Sequence, residues 1–250
     1  MKNISTKVKL KLLKRKRRFT PGTLKTSFGA IHYIDSLSTY HQYKTIVDGG
    51  IYDISDLSPK PKYIIDCGAN IGISTLYFAN KYPEAKIRAF EPQPDAFASL
   101  QTNLAGKTNV ELIKKAVWDK EGTLELDSSA SDASSLTTTA GNNTITVETT
   151  SLIPYLSMPV DLLKIDIEGA EYTVLKNIES ILSMVKNIFI EYHVSNLGNQ
   201  ELGDILAMLT RSGFNYYLSP ESVPGAPFKN MRRAKSGRFY YQINIFASRL

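Results

Sequence analysis

Four short stretches of this sequence put glycines, acids and a histidine at spacings that chemistry uses. The first is Asp66-Cys67-Gly68-Ala69-Asn70-Ile71-Gly72-Ile73-Ser74. Gly68 and Gly72 permit a tight turn and close backbone approach where a helix begins. Asn70 stands where a dinucleotide G-x-G-x-x-G needs its middle glycine, and the Gly-Lys-Ser/Thr ending of a P-loop is absent. A loop of this kind suits a ligand with hydroxyls and a zwitterionic end better than one presenting phosphates. The second is Glu91 in Ala89-Phe90-Glu91-Pro92, 19 residues past Gly72. A carboxylate there is placed to accept from both hydroxyls of a ribose, although it would also suit a helix N-terminus. Glycine turn and distal acid together predict a nucleoside-containing ligand.

The third stretch is Lys164-Ile165-Asp166-Ile167-Glu168-Gly169-Ala170-Glu171, and the fourth is Glu191-Tyr192-His193. Lys164, Asp166 and Glu168 alternate with apolar residues and so project to one side of a strand end. The acids could serve as general base, substrate clamp or hard-metal ligands, with Glu171 read as helix N-terminal charge. Glu191 and His193 share a face at i, i+2. His193 is the expected base, although Asp166 or Glu191 could take a proton alone. Asp166, Glu168 and Glu191 could also hold Mg²⁺, but carboxylates work bare at such positions, and no metal ligand is assigned.

These residues need a scaffold that gathers strand ends. Short apolar runs at Tyr63–Ile65, Lys86–Phe90, Val110–Val117, Val160–Ile167, Asn187–Tyr192, Phe214–Leu218 and Tyr240–Phe246 alternate with amphipathic stretches. That alternation predicts a doubly wound, mostly parallel α/β sheet, with ligands beyond the carboxyl ends of its strands. Thr123–Leu126 and Thr144–Thr149 alternate as an antiparallel insertion, joined by a Ser/Thr-rich loop that is either plain or a cover for a site. The segment before Tyr63 predicts helix near Tyr40–Val47 and a turn at Asp48-Gly49-Gly50.

The motifs Asp66–Ser74, Ala89–Pro92, Asp161–Glu171 and Ile190–His193 resemble those of FkbM-type methyltransferases, over about Tyr40 to Leu218. The resemblance implies a class I, Rossmann-like fold with seven strands, S-adenosylmethionine as donor, and methylation of a hydroxyl on a sugar, glycan, glycolipid or natural product. Carried over, Asp66, Gly68, Ala69, Asn70 and Gly72 cradle the methionine end with Ser74 beside them. Glu91 and Pro92 meet the ribose, and Ala116 and Val117 the adenine. Lys164 and Glu168 are expected on the acceptor. A nicotinamide-dependent oxidoreductase and a noncatalytic nucleoside-binding module are the rival readings.

Charge locates the remaining expectations. Of 30 Lys and Arg, nine lie in residues 1–18, which hold no acid; the other 232 residues carry 21 basic against 24 acidic side chains, a net of −3. The high pI thus belongs to a tail, and nucleic acid is not an expected partner. The tail is read as a solvated arm, with peripheral contact to an anionic membrane as the alternative. Three stretches follow: an arm at 1–18, an entry or cap segment at 19–60, and a methyltransferase domain at 61–250. Arg232 and Arg233, in a terminal stretch without acids, are expected to attract an anionic acceptor. The lone Cys67, no apolar signal core and no run long enough to span a bilayer predict a cytoplasmic, possibly membrane-peripheral protein.

Overall fold

The computed structural model describes residues 6–56, 60–127, 144–195, 200–220 and 239–249. Its centre is β3 (Tyr63–Cys67), buried along its whole length because both faces are covered. Helix α3 (Ile73–Lys81) leads to β4 (Lys86–Phe90), and α4 (Pro94–Asn103) to β5 (Val110–Ile113). On the other side lie β9 (Leu162–Ile165), α5 (Glu171–Ile178), β10 (Asn187–Ser195), α6 (Leu202–Arg211), β11 (Asn215–Pro220) and β12 (Phe239–Ser248). The sheet runs β11-β12-β10-β9-β3-β4-β5, parallel except that β12 pairs antiparallel with both neighbours. This is the seven-stranded, Rossmann-like sheet that the resemblance implied. From β3 the chain builds outward one way and later returns to β9 on the other side, so the switch point lies between β3 and β9.

The expected third strand proves to be two. β5 ends at Ile113, and β6 (Ala116–Trp118) leaves the main sheet to pair in parallel with β8 (Thr144–Ser151). Lys114 and Lys115 interrupt the apolar run, and Lys115 turns outward to Glu121. β8 also pairs antiparallel with β7 (Gly122–Asp127), Thr123 facing Glu148, as the alternation predicted.

The N-terminal segment differs most from expectation. Instead of a solvated arm, Thr6–Leu13 form helix α1, and Leu10 and Leu13 are each only 2% exposed. Eight residues do not hold a helix alone; burying the two leucines contributes about 1.5–3 kcal/mol each. Next come an unforeseen hairpin, β1 (Gly22–Thr26) with β2 (Gly29–Tyr33), then α2 (Ser36–Gln42) and a π-helical turn, Tyr43–Asp48. Asp35 caps α2 and pairs with Arg18, while Lys16 donates to the Tyr33 hydroxyl. Asn103 pins the hairpin, accepting from the His32 N–H and donating to the carbonyls of His32 and Ile71. Leu10, Leu13, Ile31, Tyr33 and Tyr43 share one core with α3 and α4, so the layer is packed onto the sheet rather than built around a core of its own. A second core lies under α5 and α6.

Candidate active site

A cavity of about 400 Å³ opens at the carboxyl ends of β3, β4 and β9, where the switch point predicts it. Its first wall is the loop after β3. Gly68 has φ +78°, and a Cβ on it would sit 1.7 Å from the Asp166 carbonyl oxygen, so the two strand-end loops touch only because no side chain intervenes. Asp66 lies beneath this wall, fully buried, with one carboxylate oxygen accepting from the Ser74 and Thr75 hydroxyls at 2.7 Å each. It therefore fixes the loop instead of lining the cavity. Gly72, at φ +91°, also works from outside, giving room to Leu100 and Leu104.

Lys164 is 2% exposed and donates to the carbonyls of Cys67 and Gly68. Its ammonium stands 3.2 Å from Asp66 and 3.4 Å from Asp166. Burial disfavours the charge, but the two carboxylates outweigh it and hold the lysine protonated well above its usual range. Cys67 is buried and burial pushes its thiol up, so it is no nucleophile.

The second wall follows β4. Glu91 accepts from the Asn70 and Gln93 N–H groups at 2.9 and 2.8 Å, one on each carboxylate oxygen. Those bonds orient it toward the cavity, which it lines beside Pro92. Burial pushes the Glu91 carboxyl up to about 7, against the pull of the two N–H groups. Ala116, Val117 and Leu126 make this end apolar, as a flat base would require.

The floor holds acids. Asp166, Glu168 and Glu191 line the cavity, their side chains 25%, 23% and 20% exposed. His193 does not line it: the side chain is fully buried, Nδ1 lies 3.0 Å from Glu171, and Nε2 lies 3.2 Å from Glu168 and 3.8 Å from Glu191. Burial works against a charged ring, but Glu171, then Glu168 and Asp166, raise its pKa well above the usual value. Three carboxylates surround the ring and it does not reach the cavity, so the expected base sits as a clamp behind the lining acids. Burial also pushes Glu168 up, to about 8, while His193 pulls it down, and its backbone is held at φ +56°. Glu171 caps this loop by accepting from the Gly169 N–H. Asp166, Glu191 and His193 bring one ligand atom each within 4.8 Å of one another, as a metal would need. Within the protein, Lys164 already stands against Asp166 and His193 against Glu191.

The last wall was not anticipated. Arg18, Ser38, His41, Gln42, Thr45 and Tyr52, all from the N-terminal layer, face the cavity. Tyr52 is 5% exposed, its ring packed against Phe78 and Phe189. The one signal for this wall was the spacing of Ser38, His41 and Gln42 at i, i+3, i+4 behind an Asp35-Ser36 helix start. Of the sequence-predicted residues, Gly68, Ala69, Asn70, Ser74, Glu91, Pro92, Ala116, Val117, Lys164, Asp166, Glu168 and Glu191 line the cavity. Arg232 and Arg233 lie outside the described residues.

A family model described as the methyltransferase FkbM domain matches residues 66–216. Methyltransferase sdnD of Sordaria araneosa is 30% identical over 237 residues, covering 78% of this chain and 90% of that protein. 2-O-methyltransferase NoeI of Sinorhizobium fredii is 25% identical over 224 residues, covering 80% of this chain and 85% of that protein. Hexuronic acid methyltransferase AglP of Haloferax volcanii is 29% identical over 133 residues, covering 51% of this chain and 54% of that protein. The family match takes in both glycines, Glu91 and the acid floor, and leaves the N-terminal wall outside it.

Proposed function

Because this chain belongs to the FkbM methyltransferase family, whose donor is S-adenosylmethionine, we propose that it methylates a hydroxyl of a sugar, glycan, glycolipid or related natural product. The observation that carries the hydroxyl is the floor: two half-buried carboxylates, Asp166 and Glu191, face the cavity beside a buried ammonium. When bound, S-adenosylmethionine supplies a methyl group already activated on a sulfonium. What remains for the chain is to hold the donor, bring an acceptor oxygen in line, and remove its proton.

The chain divides that work by wall. Gly68, Ala69 and Asn70 offer backbone to the amino-acid end of the donor, and Glu91 accepts from the ribose hydroxyls. Asp166 or Glu191 takes the acceptor proton, with Lys164 beside the first and His193 beside the second. Ser38, His41 and Gln42 hydrogen-bond a hydroxyl-rich acceptor, with Arg18 at hand for an anionic one. The names of two relatives, a 2-O-methyltransferase and a hexuronic acid methyltransferase, support an oxygen acceptor on a sugar. The nicotinamide reading lacks support from the family, and Asn70 still stands where that motif needs glycine.

The test is transfer of a labelled methyl group from S-adenosylmethionine to a panel of neutral sugars, uronic acids and amines, with the product bond assigned by NMR. A methyl ether is expected. Methylation confined to nitrogen or carbon would contradict the proposal.

A further inference from the structure

Helix α1 does not line the cavity, yet it exposes aliphatic side chains beside cations. At about 100° per residue, Leu10 and Leu13 fall on the face packed against the hairpin. Val8 and Leu12, one turn apart, fall on the opposite face and are 47% and 52% exposed. Lys11 and Arg15 lie beside them, also exposed. The outer face is therefore a small apolar ridge bordered by cations, on a helix whose inner face is already satisfied.

We propose that this face seats the protein on an anionic lipid bilayer. Val8 and Leu12 enter the boundary between headgroups and acyl chains, and Lys11, Arg15 and their neighbours meet lipid phosphates. Charge complementarity selects this occupant. Nine cations and no acid lie in residues 1–18, against a net of −3 over the rest of the chain. An anionic surface thus attracts this segment more than the rest of the chain taken together, which favours contact through α1. Nucleic acid would satisfy the cations but leave the aliphatic pair in water. A second copy would bring two like-charged helices together. With only two apolar side chains, attachment is reversible and weakened by salt. Arg18 connects this helix to the cavity wall, so a seated protein holds its acceptor side close to the segment that meets the lipid.

This goes beyond the methyl-transfer reading and does not depend on it, since lipid binding alone is measured. The full chain is sedimented with vesicles of phosphatidylcholine mixed with phosphatidylglycerol, and with phosphatidylcholine alone. Binding to the mixed vesicles only, falling with added salt, is expected. A Val8→Ser/Leu12→Ser variant should partition at least about tenfold more weakly, by the loss of two buried aliphatic side chains. Its unfolding midpoint should hold, because both residues face solvent. A Leu12→Trp variant gives an independent readout: its added emission should shift to the blue on mixed vesicles. No binding to mixed vesicles, equal binding by the serine variant, or an unshifted Leu12→Trp emission would overturn the proposal. So would tighter binding to duplex DNA than to vesicles, or a dimer that the serine variant abolishes.

Discussion

The two sides of the cavity are made in different ways. The donor side is backbone: two strand-end loops in contact through Gly68, and a Glu91 carboxylate fixed by two N–H groups. Buried Asp66 and Lys164 hold that backbone from behind. The wall proposed for the acceptor is side chains, Ser38, His41 and Gln42 on α2 and Arg18 in the turn before β1, carried by a layer added onto the sheet. Backbone geometry is hard to alter without refolding, so it suits the ligand that all members of a family share. Side chains on a surface helix change one at a time with little cost to the fold, so they suit the ligand that varies.

The division can be broken hardest at the floor, where the two sides meet. Asp166→Asn or Glu191→Gln should lower kcat about a hundredfold to ten-thousandfold, the usual range for a lost general base, while donor affinity holds. Equal rates in both variants and wild type would remove the carboxylates from proton transfer. His193→Ala should act on stability instead, costing about 3–5 kcal/mol in a denaturant titration, because it strips a buried charge partner from Glu168 and Glu171. His193 is raised in the folded state from a reference of 6.5. Its stabilisation is therefore fully present below that reference and is lost as pH rises through the folded value. Wild type should accordingly lose stability toward alkaline pH faster than the His193→Ala protein.

On the donor side, Glu91→Gln should weaken S-adenosylmethionine binding by about 1.5–3 kcal/mol, the range for hydrogen bonds to a charged group. The carboxyl titrates at about 7 in the free protein. Donor affinity should thus fall as pH drops below 7 in wild type and stay flat in Glu91→Gln. The same raised pKa means that the buried carboxyl costs stability progressively as pH rises from its reference of 4.5 to about 7, so Glu91→Gln should melt higher than wild type at pH 8 and alike well below pH 4.5. On the acceptor side, Gln42→Ala should raise the acceptor KM by about 1 kcal/mol, roughly fivefold, and leave donor affinity alone. Smallest of all, exhaustive chelation should change neither rate nor affinity; lost activity restored by Mg²⁺ would return Asp166, Glu191 and His193 to a metal.

The contrast also explains what the sequence made legible. Gly68, Glu91 and Asp166 could be found because each follows a strand end, and Gly72 because it starts the next helix; the alternation of apolar strands with amphipathic helices marks those points. The insertion was legible from its period of two. The break after Ile113 was not, since two lysines in an apolar run read equally as an edge strand. His193 was expected beside these acids, but its burial against Glu171, at the start of the preceding helix α5, is a tertiary fact. The N-terminal wall was least legible: its helices are short, its hairpin lacks a strong turn signal, and the basic tail hid Leu10 and Leu13 among charges.

The proposed division gives the donor to strand-end backbone and the acceptor to the N-terminal layer. Calorimetric titration of S-adenosylmethionine into wild type, Glu91→Gln and Gln42→Ala at pH 8 tests it most directly. Gln42→Ala should reproduce the wild-type isotherm, and Glu91→Gln should weaken binding by at least about tenfold. No donor binding by wild type, or a donor affinity that falls with Gln42→Ala and not with Glu91→Gln, would contradict it.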